Sequence, residues 1–207
     1  DLGYHPSDLL QANCVIWVEG PTDRIYLNWW LRFMDSNLIE GIHYSLMFYG
    51  GRLASHLTGR ADSLDVDDFI SLRRLNQRGV IMIDSDKDSS RKPINATKKR
   101  LQAEFDSGPG HAWITAGREV ENYLPVSFVA DALANVCASS TSISRMGQFD
   151  HVLALKSSKG VSIQAPKVDV AKFIVEKYSP DFSILDLRKQ LEKVTEFIYR
   201  ANPKVLR

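Results

Sequence analysis

Cysteine is nearly absent: Cys14 and Cys137 are the only two in 207 residues, and they stand isolated. That leaves no disulfide framework and no zinc spacing. Cys14 falls in an apparent core strand and Cys137 in an apolar helix, so a free thiol pair in a reducing, cytoplasmic setting is expected. No apolar run approaches the roughly 18 residues of a membrane span, and no signal peptide is visible, so no membrane partner is expected. Charge of neither sign dominates, with 26 Lys and Arg against 25 Asp and Glu. Such a balance argues against a nucleic-acid binder that relies on a bulk positive field, but leaves room for a nuclease whose acidic metal site offsets local basic patches. The Gly-x-x-x-x-Gly-Lys-Ser/Thr loop is missing, so no ATP site of the P-loop type is expected in this chain. The Gly-x-Ser-x-Gly elbow is missing too. The histidines (His5, His43, His56, His111, His151) are scattered without ligand spacing. The chain opens Asp1-Leu2-Gly3 without Met, as a fragment of a longer protein would.

What is present begins with Gly79-Val80-Ile81-Met82-Ile83, an unbroken apolar run rich in β-branched residues that ends abruptly at Asp84-Ser85-Asp86. Such a run reads as a strand buried on both faces, which favours a parallel sheet in an α/β domain. Asn13 to Val18 is a second such run, closed by Glu19-Gly20. Ser45 to Tyr49 is a third and His111 to Thr115 a fourth. Helices are predicted over roughly 22–33, with Thr22 as N-cap and Asp23 in the first turn, and over 96–105 and 126–138. Two more are predicted over 168–178, with Pro166 near the first position, and over 182–200, with Asp181 as N-cap. Residues 1–12 are a lead-in. Residues 52–58 suit a helical turn, 62–68 an acidic loop, and 69–76 suit strand or helix equally. Residues 125–166 read as a helical or loop insertion whose part from 139 on is rich in Ser, Gly and Thr. Residues 167–207 read as C-terminal helices packing on a core spanning 13–124. The tryptophans sit in apolar runs and are read as core.

In parallel sheets chemistry collects beyond the carboxyl ends of the strands. Glu19, Asp84 with Asp86, and Glu119 with Glu121 each follow a predicted core strand. If the strands are parallel, all gather at one edge of the sheet. Crowded carboxylates raise one another's pKa and so call for cations, and oxygen-only ligands suit Mg²⁺ or Mn²⁺. Two divalent ions about 4 Å apart would make this a phosphodiester-cleaving site. Each part has a plainer reading: Asp84 and Asp86 as a turn, Glu19 and Asp23 as anions at a helix N-terminus, Glu119 and Glu121 as helix-start acids. A cation beside the site would neutralise charge in the transition state, with Lys167 at a helix start and Lys159 as candidates. Lys87, Arg91, Lys92, Lys98, Lys99 and Arg100 form a basic stretch that suits either a phosphate track or a solvated helix face.

Val18-Glu19-Gly20 and Ile83-Asp84-Ser85-Asp86 resemble the motif pair of toprim domains. The longer wording Val18-Glu19-Gly20-Pro21-Thr22-Asp23, with Arg118-Glu119-Val120-Glu121-Asn122-Tyr123-Leu124, looks most like the toprim region of nucleases of the overcoming-lysogenization-defect (OLD) family. The resemblance covers roughly residues 13–178. It implies a Rossmann-like toprim core with a small helical element in the C-terminal half. It also implies two-metal DNA cleavage and an N-terminal ATPase domain in the full-length protein. By motif, Glu19 would be a ligand and acid–base group, and Asp23 the extra acid. Asp84 and Asp86 would hold metal, and Glu119 or Glu121 would complete the second site. The family's late lysine is assigned to Lys167, with Lys159 second. The alternative is a non-cleaving toprim module that binds nucleic acid or regulates a partner.

Overall fold

The computed structural model describes residues 13–49, 79–137, 146–156 and 162–203. The four apolar runs are strands β1 (Val15–Val18), β2 (Ser45–Phe48), β3 (Gly79–Ile83) and β4 (His111–Ile114). They form one parallel sheet in the order β2-β1-β3-β4. Every residue of β1 and β3 is buried, because both faces of the sheet are covered. Side-chain alternation divides them: Ile16, Val18, Val80, Met82 and Trp113 enter a large core, while Val15, Trp17, Ile81, Ile83 and Ala112 enter a smaller one. Helices α1 (Pro21–Met34), α3 (Val126–Val136), α4 (Lys167–Lys177) and α5 (Leu187–Ala201) build the large core. Leu101 and Phe105 of α2 (Ala96–Asp106) enter the smaller one. Among the described residues the result is an α/β fold, a four-stranded parallel sheet flanked by five helices in a Rossmann-like arrangement. The chain leaving β1 goes to β2 on one side, and the chain leaving β3 goes to β4 on the other. The β1/β3 boundary is therefore a topological switch point, with a crevice beyond the strands' carboxyl ends.

Three helix starts differ from expectation. Gly20, not Thr22, is the N-cap of α1, and Pro21 takes the first helical position, where its fixed φ and missing N–H cost nothing. Pro166 is itself the N-cap of α4, which puts Lys167 at the first position. Helix α5 starts at Leu187, after Asp186. Asp181 instead turns back on Ser183, accepting from its N (2.9 Å) and Oγ (2.6 Å). Leu185, at φ +50°, keeps the backbone from continuing as helix between the two sites. The stripe Leu187, Leu191, Val194 and Ile198 is buried as its spacing requires.

All four tryptophans are buried. Trp30 packs against Trp113 and Tyr123, with ring centroids 6.2 and 6.0 Å away. The Tyr123 hydroxyl accepts from Trp113 Nε1 (3.1 Å) and Ala116 N (2.9 Å) and donates to Asp186 Oδ1 (2.7 Å), tying the loop after β4 to the start of α5. The 125–166 stretch holds α3 and then an antiparallel hairpin, β5 (Ala154–Lys156) with β6 (Ser162–Gln164), so it is not helical and loop alone. At the amino end of the sheet, Asn13 Nδ2 donates to Asn202 Oδ1 (3.0 Å), and Asn202 Nδ2 donates to the His43 carbonyl (2.8 Å). Among the described residues, no helix is long and apolar enough to cross a membrane. The expectations for 1–12, 52–58, 62–68, 69–76 and Lys159 lie outside the described residues.

Candidate metal centre

Glu19 is the first residue beyond β1 and Asp84 the first beyond β3, and both are partly open to the crevice. Asp23, in the first turn of α1, is buried and folds back so that its Oδ2 accepts from Gly20 N at 2.7 Å. This is half of a capping box, so the plain helix-start role of Asp23 is present whatever else it does.

The Asp84-Ser85-Asp86 turn is pinned from beneath by the loop after β4. Ser85 N donates to Thr115 Oγ1 (2.8 Å), Ser85 Oγ to the Gly117 carbonyl (2.5 Å) and Asp86 N to the Arg118 carbonyl (3.0 Å). Within that loop Gly117 lets Asn122 pack closely, since a Cβ there would lie 2.5 Å from the Cβ of Asn122. Asp86 sits at φ +53°, a left-handed conformation that aspartate tolerates better than most residues. Lys98, on the first turn of α2 and 2% exposed, donates from Nζ to the Asp84 carbonyl (2.7 Å) and pairs with Asp86 Oδ2.

Beyond β4, a 3₁₀ turn (Val120–Tyr123) carries the second acid pair. Glu119 is saturated: Oε1 lies 2.9 Å from His151 Nδ1 and accepts from Val152 N at 3.0 Å, and Oε2 accepts from Lys167 Nζ at 3.1 Å. Glu121 is wholly buried, with Oε1 3.2 Å from Lys167 Nζ, yet neither of its oxygens has a partner in hydrogen-bond geometry. Asn122 fixes the turn, accepting from Glu119 N (2.8 Å) and donating to the carbonyls of Gly147 (3.2 Å) and Asp150 (3.1 Å).

The acids sense one another. Burial pushes the Asp23 carboxyl up to about 7, with the charges of Glu121 and Glu19 adding to it. Burial also raises Asp84 well above the carboxylate range, reinforced by Asp23, Glu121, Glu19 and Glu119. Glu19 is raised by burial and by Asp86, and Glu121 by burial, against the pull of Lys167. Burial works against the Lys167 ammonium, but Glu121 and Glu119 outweigh it and raise its pKa.

The sheet thus brings Glu19, Asp23, Asp84, Asp86, Glu119, Glu121 and Lys167 into one electrostatic neighbourhood, while Lys159 lies outside the described residues. Among the described residues, no three His, Cys, Asp or Glu side chains converge closely enough to hold a metal ion as they stand. Their chemistry suits one nonetheless: the donors are all carboxylate oxygens, burial and repulsion penalise their charge, and neither oxygen of the buried Glu121 has a hydrogen-bond partner. Two ammonium groups, Lys98 and Lys167, neutralise part of the set. The basic stretch expected as a phosphate track or solvated face includes Lys98, which is instead buried against the Asp86 turn, and the sequence assigns His151 no role. A lysine in a basic, polar-faced helix gives no sign of burial, and a lone histidine in a loop has no spacing to read.

No protein-family model, curated protein or solved structure matches the chain.

Proposed function

We propose that this chain is a metal-dependent endonuclease of the toprim type, the catalytic region of an OLD-family ATPase–nuclease acting on DNA. The observation that carries the reading is the placing of Glu19 and Asp84 at the β1/β3 switch point, where burial and the charges of neighbouring acids hold their carboxyls above the usual range. Glu19, Asp84 and Asp86 would hold one Mg²⁺ or Mn²⁺, and Asp23 with Glu121 or Glu119 a second. Bound there, the ions supply water activation and stabilisation of the leaving oxygen. The chain's own residues do the rest. The Lys167 ammonium, one-third exposed, presents positive charge to a phosphate in the crevice. The Glu19 carboxyl, with its raised affinity for a proton, is suited to take one up and return it. Glu119 orients Lys167 and is itself held by His151 and Val152 N. Lys87, Arg91, Lys99 and Arg100, following the Asp86 turn, suit a DNA backbone track.

The test is nicking of supercoiled plasmid with Mg²⁺, Mn²⁺ or Ca²⁺. Wild type is expected to nick and Asp84→Ala not to. Cleavage that survives Asp84→Ala overturns the site. Absence of cleavage by wild type under every condition leaves a non-cleaving nucleic-acid-binding module as the reading.

A further inference from the structure

Lys98 has a place in this site that its sequence context hides. A lysine in the first turn of a helix opposes the helix dipole, and a fully buried ammonium is costly, so the arrangement needs a specific compensation. The compensation is the Asp84-Ser85-Asp86 turn. Lys98 Nζ donates to the Asp84 carbonyl at 2.7 Å and pairs with Asp86 Oδ2. The lysine side chain is 3% exposed and the aspartate 51%, so the ammonium approaches from the protein side while the carboxylate stays open to the crevice. Asn95, the N-cap of α2, accepts from Lys98 N at 2.8 Å and fixes the backbone that launches the side chain. Asp86 receives the ammonium while in a left-handed conformation, at φ +53°.

We propose that Lys98 is a positioning residue, an internal counter-cation that holds the Asp84–Asp86 turn without metal and competes with a divalent ion for the Asp86 carboxylate. This rests on the metal-centre reading above. A divalent ion approaching Asp86 meets a carboxylate already partly neutralised and is repelled by the fixed charge behind it. Lys98 thereby lowers metal affinity in return for an ordered turn.

The experiment is Mn²⁺ titration, followed by loss of the free-ion electron paramagnetic resonance signal, with hydrogen exchange of the metal-free protein alongside. Wild type is expected to bind Mn²⁺ and Asp84→Ala to lose it. Lys98→Met, close in volume but uncharged, is expected to bind about tenfold more tightly or better, since one opposing charge is gone. Lys98→Arg stays near wild type, and most of the gain disappears in an Asp86→Asn background. Without metal, Lys98→Met is expected to speed exchange of the Asp86 amide. If Lys98→Met fails to fold, Lys98→Gln, which can still donate to the Asp84 carbonyl, carries the same comparison. Unchanged or weaker Mn²⁺ affinity in the uncharged variant overturns the competition and leaves the metal centre standing. Absence of Mn²⁺ binding by wild type overturns the metal centre and the competition with it. Unchanged exchange at Asp86 overturns the holding role.

Discussion

Two strand ends carry the same device with different results. After β3 come Asp84 and Asp86; after β4 come Glu119 and Glu121; each is an acid-x-acid pair served by a lysine from the first turn of a later helix. At the β3 end, Lys98 is buried and reaches the outer acid, and the inner acid, Asp84, keeps a carboxyl raised by its surroundings. At the β4 end, Lys167 is partly exposed and lies between both acids, and it is the acid nearer the strand in sequence, Glu119, that is held by several donors. Each pair therefore holds one neutralised carboxylate and one whose proton affinity its surroundings raise. Glu121 raises the proton affinity of Asp84, and Glu119 raises that of both. The lesson is that a lysine beside two acids can brace one and leave the other available for a ligand.

The largest expected effect comes from removing the shared cation at the β4 end. Lys167→Met leaves the buried Glu121 without its lysine and Glu119 one donor short, and should cost about 3 kcal/mol in urea unfolding and lower nicking about 100-fold or more. If stability is unchanged, the two ends do not differ as described.

A pH series separates them further. The Asp23 carboxyl sits at about 7 in the folded chain against 3.8 for the free group, so between these values the folded state holds a proton that the unfolded state has lost. Metal-free stability is then fullest near pH 4 on this account and declines as pH rises toward 7. Thermal melts in chelator should give a higher Tm at pH 5.5 than at pH 8, with Asp23→Asn flattening the slope; a rising slope would contradict it.

Smaller effects probe single donors. His151→Ala removes one of the partners of Glu119 and should cost about 1 kcal/mol, read by the same unfolding assay. Tyr26→Phe deletes a buried hydroxyl that has no hydrogen-bond partner and lies in the field of Glu121 and Asp23. It should be neutral or stabilising by about 0.5 kcal/mol. A clear loss of stability would contradict this reading of the hydroxyl.

The strands were legible because parallel strands covered on both faces read as unbroken apolar runs, as at Gly79–Ile83. The acids were legible because those runs end on them. Helix starts were less so: Thr22 and Asp181 have N-cap chemistry, but Pro21 and the left-handed Leu185 decide where α1 and α5 begin. The β5–β6 hairpin, with three residues in each strand, is too short for a periodicity of two to register. Lys98 was hidden because its helix is otherwise polar, and what buries it is a turn far away in sequence.

The Asn13–Asn202 contact bears on how such a domain is carried. Asn13 leads into β1 at the end opposite Glu19, about 20 Å away for an extended run of this length. The backbone therefore comes into the sheet and departs from α5 at a shared point, on the far side from the acids. Where the backbone enters a first strand and leaves a last helix side by side, as at Asn13 and Asn202, a join made at that face lies remote from the crevice.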